Sequence, residues 1–136
     1  MKRYLQLTLI VFCLTAFSSG QGTVRMSFFK VEEENGDLLI SWQTEEEFEV
    51  REYEVQRMTR FTNGQFVKVE ALQPHGPDKA YLFRDEQIFK SSSEQVDYRL
   101  EVVFSDGVRQ QLATEQVNYT STAIRRTWGS IKAMFQ

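Results

Sequence analysis

The sequence predicts an all-β sandwich of seven strands, each with one face buried. Three observations carry this. Turn signals recur at short intervals between residues 24 and 119. The stretches between them alternate apolar and polar residues with a period of two, as half-buried strands do. Helical spacing of apolar residues is absent from that region and is confined to the last fourteen residues.

The first strand is predicted from about Val24 to Glu32. Asn35-Gly36 follows as a hairpin turn, because both residues tolerate positive φ. The second strand, Asp37 to Thr44, turns Leu38, Ile40 and Trp42 to one face and Ser41 and Gln43 to the other. The acidic stretch Glu45 to Glu49, broken by Phe48, is predicted as a loop. A third strand, about Glu52 to Thr59, buries Tyr53 and Val55 and turns Glu52, Glu54 and Gln56 outward. Asn63-Gly64 marks a second hairpin. A fourth strand follows, where Val67, Val69 and Ala71 alternate with Lys68 and Glu70.

Residues Gln73 to Asp78 break the pattern, since Pro74 and Pro77 cannot donate ladder hydrogen bonds. The fifth strand, Ala80 to Asp85, directs Tyr81 and Phe83 inward. A polar loop from Lys90 to Glu94 separates it from the sixth, Val96 to Phe104, with Tyr98, Leu100, Val102 and Phe104 on one face. Ser105-Asp106-Gly107 makes a third hairpin, and the seventh strand runs from about Val108 to Tyr119.

Several of these stretches resemble a fibronectin type III domain. Leu39-Ile40-Ser41-Trp42-Gln43-Thr44-Glu45, followed by Tyr53-Glu54-Val55-Gln56-Arg57, is similar to that family's strands B and C, with Trp42 at the core tryptophan. Tyr81-Leu82-Phe83-Arg84-Asp85 falls where strand E belongs, and Tyr98-Arg99-Leu100 before Asp106-Gly107 looks like strand F and the F–G turn. The resemblance covers about Val24 to Tyr119 and implies a seven-stranded immunoglobulin-like sandwich. Its spelling is similar to a variant common in exported proteins of Bacteroidota-like bacteria, so it implies a bacterial protein. There such domains often precede a sorting domain of type IX secretion. Here only a short segment follows. The family's fold hosts many functions, so the resemblance alone names none.

The N-terminus carries Lys2 and Arg3, then an apolar run from Tyr4 to Phe17, then Ser18, Ser19 and Gly20. The run is shorter than the roughly 20 residues that span a bilayer. A positive start, a short apolar stretch and a small-residue exit define a secretory signal, with cleavage expected after Ser18 or Gly20. The expected organisation is a signal peptide over residues 1–20, a sandwich over 23–120 and an amphipathic tail over 121–136. The expected location is exported: periplasmic, on the cell surface or secreted. Val11 and Phe12 precede Cys13, which excludes lipid attachment there. Cys13 is the one cysteine and leaves with the signal. The domain is therefore expected to hold together without a disulfide.

Charge and inventory exclude several functions. Loss of Lys2 and Arg3 takes the net charge from −3 to −5. The last fourteen residues hold Arg125, Arg126 and Lys132 and no acid, so the body before them is near −8. A nucleic-acid partner needs a basic face and is not expected. The one histidine, His75, lies in a Pro-Gly turn and reads as an exposed turn residue rather than a catalytic base. Glu32 to Glu34 and Glu45 to Glu47 are contiguous, so on an extended chain they diverge. A calcium loop spaces its oxygens to converge. No cofactor, metal or enzyme activity is expected.

The tail is the candidate site. Ser121 or Thr122 is placed to cap a helix from about Ala123. Ile124, Trp128, Ile131 and Phe135 then form one helical stripe, with Met134 beside it and Arg125, Arg126 and Lys132 largely outside it. Burying five such apolar side chains gains roughly 1.5–3 kcal/mol each. Ordering a dozen backbone residues costs about 1–2 kcal/mol each. The two nearly cancel, so the tail is expected to fold against something: its own sandwich, a protein groove or a membrane surface. The leading expectation is a non-enzymatic interaction protein with a protein partner in the cell envelope. The sandwich is its scaffold and the tail its docking element. The alternatives are a peripheral membrane protein that uses the tail as an interfacial helix, or a carbohydrate-binding accessory module.

Overall fold

The computed structural model describes residues 20–88, 95–119 and 132–135. Among these lie seven strands: β1 (Thr23–Glu34), β2 (Asp37–Phe48), β3 (Val50–Met58), β4 (Val67–Leu72), β5 (Tyr81–Asp85), β6 (Gln95–Phe104) and β7 (Arg109–Asn118). They form two antiparallel sheets, one ordered β1-β2-β5 and the other β4-β3-β6-β7. The predicted sandwich of seven strands is present, and each strand lies within a few residues of its expected bounds.

The hairpins form where the turn chemistry allows. Asn35 and Gly36 both adopt positive φ (55° and 88°) and set Glu34 opposite Asp37. Asn63 and Gly64 do the same between β3 and β4. The exception is β2 to β3, where Glu49 alone makes the turn at a φ of 56°. Its carbonyl accepts hydrogen bonds from the Ser105 amide at 2.8 Å and the Ser105 hydroxyl at 3.1 Å.

One expectation is corrected here. Residues Glu45 to Phe48, predicted as a loop, continue β2: Glu46 to Phe48 pair with Thr23 to Arg25 of β1, and Glu45 stands at a register shift. The charges explain it. Arg25 on β1 meets Glu45 at 2.7 Å and Glu46 at 3.9 Å, so the acids complete a ladder instead of leaving it.

The core lies between the sheets and includes Leu38, Ile40, Trp42, Tyr53, Val55, Tyr81, Val96, Tyr98, Leu100, Val102 and Tyr119. Trp42 stacks on Tyr81 with ring centres 5.0 Å apart and planes within 3°. Tyr53 meets both rings edge-on, at 5.9 Å and 5.0 Å. Such pairs add to the gain from buried area.

The two sheets close differently at their sides. β1 and β7 lie against each other along one side. On the other side, the edges of β4 and β5 flank a cleft of about 360 Å³. The strand directions also define two poles. The β1–β2 turn, the β3–β4 turn and the end of β7 share one pole, where the Tyr119 hydroxyl donates to the Gly36 carbonyl at 2.6 Å. The start of β1, the Glu49 turn, the segment between β4 and β5, and the β6–β7 turn share the other.

Candidate interaction surfaces

Of the residues expected to dock a partner, Ile124, Arg125, Arg126, Trp128 and Ile131 lie outside the described residues. Lys132, Met134 and Phe135 lie in or beside a single helical turn, closed by a hydrogen bond from the Phe135 amide to the Lys132 carbonyl at 3.2 Å. Met134 is 82% exposed and Phe135 87% exposed. The end of the tail therefore adds nothing to the core of its own sandwich.

At the pole where β1 starts, Glu47 organises the segment after β4. Its side chain turns toward the rings of the core. It accepts hydrogen bonds from the Thr44 hydroxyl at 2.7 Å, the Tyr81 hydroxyl at 2.7 Å and the Gly76 amide at 3.2 Å. Burial pushes the Glu47 carboxyl up, but these donors outweigh it and hold the group below its ordinary value of 4.5. The Tyr81 oxygen in turn accepts from the His75 amide at 2.9 Å. The imidazole of His75 lies flat on the Tyr81 ring, with centres 3.7 Å apart and planes within 10°. His75 is exposed, as expected, but it is held in place rather than loose.

On the open side, the cleft between β4 and β5 is lined by Val67, Val69 and Phe83 and by Arg57 and Asp85. Asp85 is buried. It accepts from the Tyr98 hydroxyl at 2.7 Å, from the Gln87 amide at 3.1 Å and from the Arg57 guanidinium. Burial, then the adjoining Asp85 carboxylate, pushes the Tyr98 hydroxyl well above the usual phenol range. Edge strand β4 is blunted against pairing. It carries an extra residue opposite Val55–Gln56, and the Glu70 carboxylate accepts from its own neighbour's amide, Ala71, at 3.0 Å.

The outer face of the four-stranded sheet carries a charge network. Arg109 bonds Glu54 and Glu101, each at 2.9 Å, and Lys68 approaches Glu54 at 3.6 Å. Glu54, Gln56 and Glu101 point outward as the alternation predicts, yet they are buried beneath these long side chains. The Arg109 hydrogen bonds hold the Glu54 carboxyl below its ordinary value.

The same sheet ends in the β3–β4 turn, which sets an aromatic ring beside a cation. Phe61 is 59% exposed, and the Arg60 guanidinium lies over its ring at 4.8 Å. Close by, Arg99 on β6 lies over Phe66 at 4.1 Å and donates to Gln56 at 2.7 Å. In the sequence this segment reads only as a hairpin. The available signal was Phe61, a large apolar residue inside a polar turn.

No protein family, characterised protein or solved structure matches the chain. Function therefore rests on the surfaces themselves. Among the described residues, no helix is long and apolar enough to cross a membrane, and no three His, Cys, Asp or Glu side chains gather as a cation site. The polar clusters bind parts of the fold to one another. The turn and the tail present apolar and cationic groups outward.

Proposed function

We propose that the chain is an exported, non-enzymatic protein-interaction module: a fibronectin type III-like sandwich that carries its docking element in the C-terminal tail. The observation that carries this reading is the exposure of Met134 and Phe135. Large apolar side chains left in water gain most when a partner covers them. The strand partners support the fold assignment. The resemblance assigns β2, β3, β5 and β6 to strands B, C, E and F. B and E share a sheet in that architecture, as do C and F, and β2 pairs with β5 and β3 with β6 here. Export is supported by the start of β1 at Thr23, because cleavage after Ser18 or Gly20 leaves every strand whole.

The test places a photo-crosslinking residue at position 135 and, as a control, at Val108 on the opposite pole. Both proteins are expressed in the producing cell. The expected result is a discrete protein adduct from position 135 that Val108 does not give. Sequencing of the purified protein is expected to find an N-terminus at residue 19 or 21. Equal adducts from both positions, or none from 135, refute the docking role. An intact Met1 refutes export by a cleaved signal.

A further inference from the structure

We infer that the free edge of β5 is a strand-docking site for an extended segment of a protein partner, one with apolar side chains along the strand and Lys or Arg flanking them. The inference goes beyond the tail-docking reading and does not need it, because the edge binds whether or not the tail docks.

An open sheet has two edges, and proteins guard them against pairing with other chains. Here the outermost strands are β1 and β5 in one sheet and β4 and β7 in the other. Three of the four carry an extra residue that interrupts the ladder: Ser27 on β1, Val69 on β4 and Leu112 on β7. β5 has none. Tyr81 to Asp85 pair with Trp42 to Leu38 residue for residue, and the strand contains no proline. Among the described residues no strand pairs with the side of β5 away from β2. The edge stops at a defined point. The Glu86 amide turns back to the Arg84 carbonyl at 3.2 Å, and the Gln87 amide to the Asp85 carboxylate at 3.1 Å.

Both sides of this edge offer apolar surface. On the outer face Leu82 is 60% exposed. On the inner side the edge borders the cleft of about 360 Å³, where Phe83, Val67 and Val69 form the apolar lining. A strand added beside β5 turns alternate side chains over Leu82 and into this cleft. Main-chain hydrogen bonds supply the affinity and the side-chain positions the selectivity, as wherever a sheet edge takes up an extended segment.

Charge and size select the occupant. The cations of the cleft are already paired: Arg57 with Asp85, Lys68 with Glu54 at 3.6 Å, and Arg84 with Glu34 and with Asp37 at 3.5 Å. Two lining acids, Glu70 and Glu86, are in no ion pair among the described residues. The surplus is negative, so it favours basic flanks and repels acidic ones. A second copy of the chain fits poorly. Five residues of strand span about 17 Å. Two such edges alone cover far less than the roughly 1,200 Å² that a stable dimer buries. Two chains at −3 each also repel.

The test uses the chain from residue 21 to 136, which keeps every strand. The probe is a fluorescent synthetic peptide, Lys-Val-Thr-Val-Thr-Val-Lys, whose Val and Thr residues suit a strand. It is expected to bind, and its Glu-flanked counterpart to bind more weakly. Two further versions carry N-methyl groups on one or the other alternate set of amides. One set is expected to abolish binding and the other to leave it, because only alternate amides face β5. Hydrogen exchange is expected to slow at alternate amides within residues 81–85. Leu82→Ser weakens binding at least about fivefold, as loss of a covered apolar side chain does. Glu86→Lys weakens the Lys-flanked peptide and strengthens the Glu-flanked one. Val108→Ser, in the β6–β7 turn, changes nothing. Residues 82, 86 and 108 are all exposed, and circular dichroism confirms that the variants fold.

The inference is overturned if the Lys-flanked peptide does not bind, or if both N-methylated peptides bind as the parent does. It is equally overturned if Leu82→Ser has no effect, or if the Glu-flanked peptide binds as tightly. Self-association that Leu82→Ser abolishes assigns the edge to a second copy and overturns it as well. None of these results bears on crosslinking through position 135, so the two readings stand or fall separately.

Discussion

Asp85 joins the two sheets on the open side of the sandwich. Its carboxylate takes hydrogen bonds from Tyr98, Gln87 and Arg57. The side chain is 3% exposed, and that of Arg57 is 19% exposed. Removing one member of a buried ion pair costs about 3–5 kcal/mol, because the other charge stays behind. Arg57 keeps some water, which favours the lower half of that range. The Tyr98 hydroxyl is fully buried and also loses its acceptor, adding about 1–3 kcal/mol. Asp85→Ala is therefore expected to destabilise the domain by about 4–7 kcal/mol. Domains of this kind have only about 5–15 kcal/mol in total, so most of the margin is lost.

Urea unfolding followed by circular dichroism measures the change. A double-mutant cycle then isolates the pair. Arg57→Met alone is expected to cost about 3 kcal/mol. The combination of Arg57→Met with Asp85→Leu should cost far less than the sum, since no uncompensated charge remains. A loss below about 1 kcal/mol for Asp85→Ala, or strict additivity in the cycle, would refute the claim that this pair closes the open side.

Two further outcomes follow from the same structure. Burial, reinforced by a neighbouring carboxylate, pushes the hydroxyls of Tyr53, Tyr81 and Tyr98 above the ordinary value of 10.0. Stability is then complete below about pH 10 and falls as pH rises, because only the unfolded chain ionises; Tyr53 and Tyr98 together account for about 3 kcal/mol at roughly pH 11, with Tyr81 adding in the same sense. Phenolate absorbance is expected to rise for these three only as the fold is lost, and their titration before unfolding contradicts this. At the β2–β3 turn, Glu49→Gly removes a side chain from a φ of 56° and keeps the carbonyl that Ser105 uses. The gain is expected to be about 0.5–1 kcal/mol by urea unfolding, and a loss of stability would show that the turn stores no strain.

The strands were legible because their signals are local. Leu38, Ile40 and Trp42 need only a period of two, and Asn35-Gly36 needs only its own backbone freedom. The acids of β2 misled for the same reason. Glu45 to Glu47 read as a solvated run until Arg25, twenty residues away, is placed across from them. Glu47 was harder still. Its role depends on Tyr81 and Gly76, which reach it only after β5 has paired with β2. Arg57 and Asp85 lie on different sheets, and no local pattern marks them as partners. The tail reads as a stripe in the sequence, but Ile124, Trp128 and Ile131 lie outside the described residues; Met134 and Phe135 at its end are exposed. The Arg60–Phe61 pair was not legible, since two residues in a turn carry no period at all.

Tyrosine explains how such a small domain manages without a disulfide. Each buried ring brings a large apolar area and a hydroxyl that needs a partner. Tyr81 uses its hydroxyl to tie the segment after β4 to the end of β2, Tyr98 ties β6 to β5, and Tyr119 ties the end of β7 to the β1–β2 turn. These links join segments that the ladders do not. They fix one pole, the open side and the other pole in turn. A framework braced in this way moves little when something binds to it. The exposed rings Phe61 and Phe135 stand outside this framework, on segments that its core does not include.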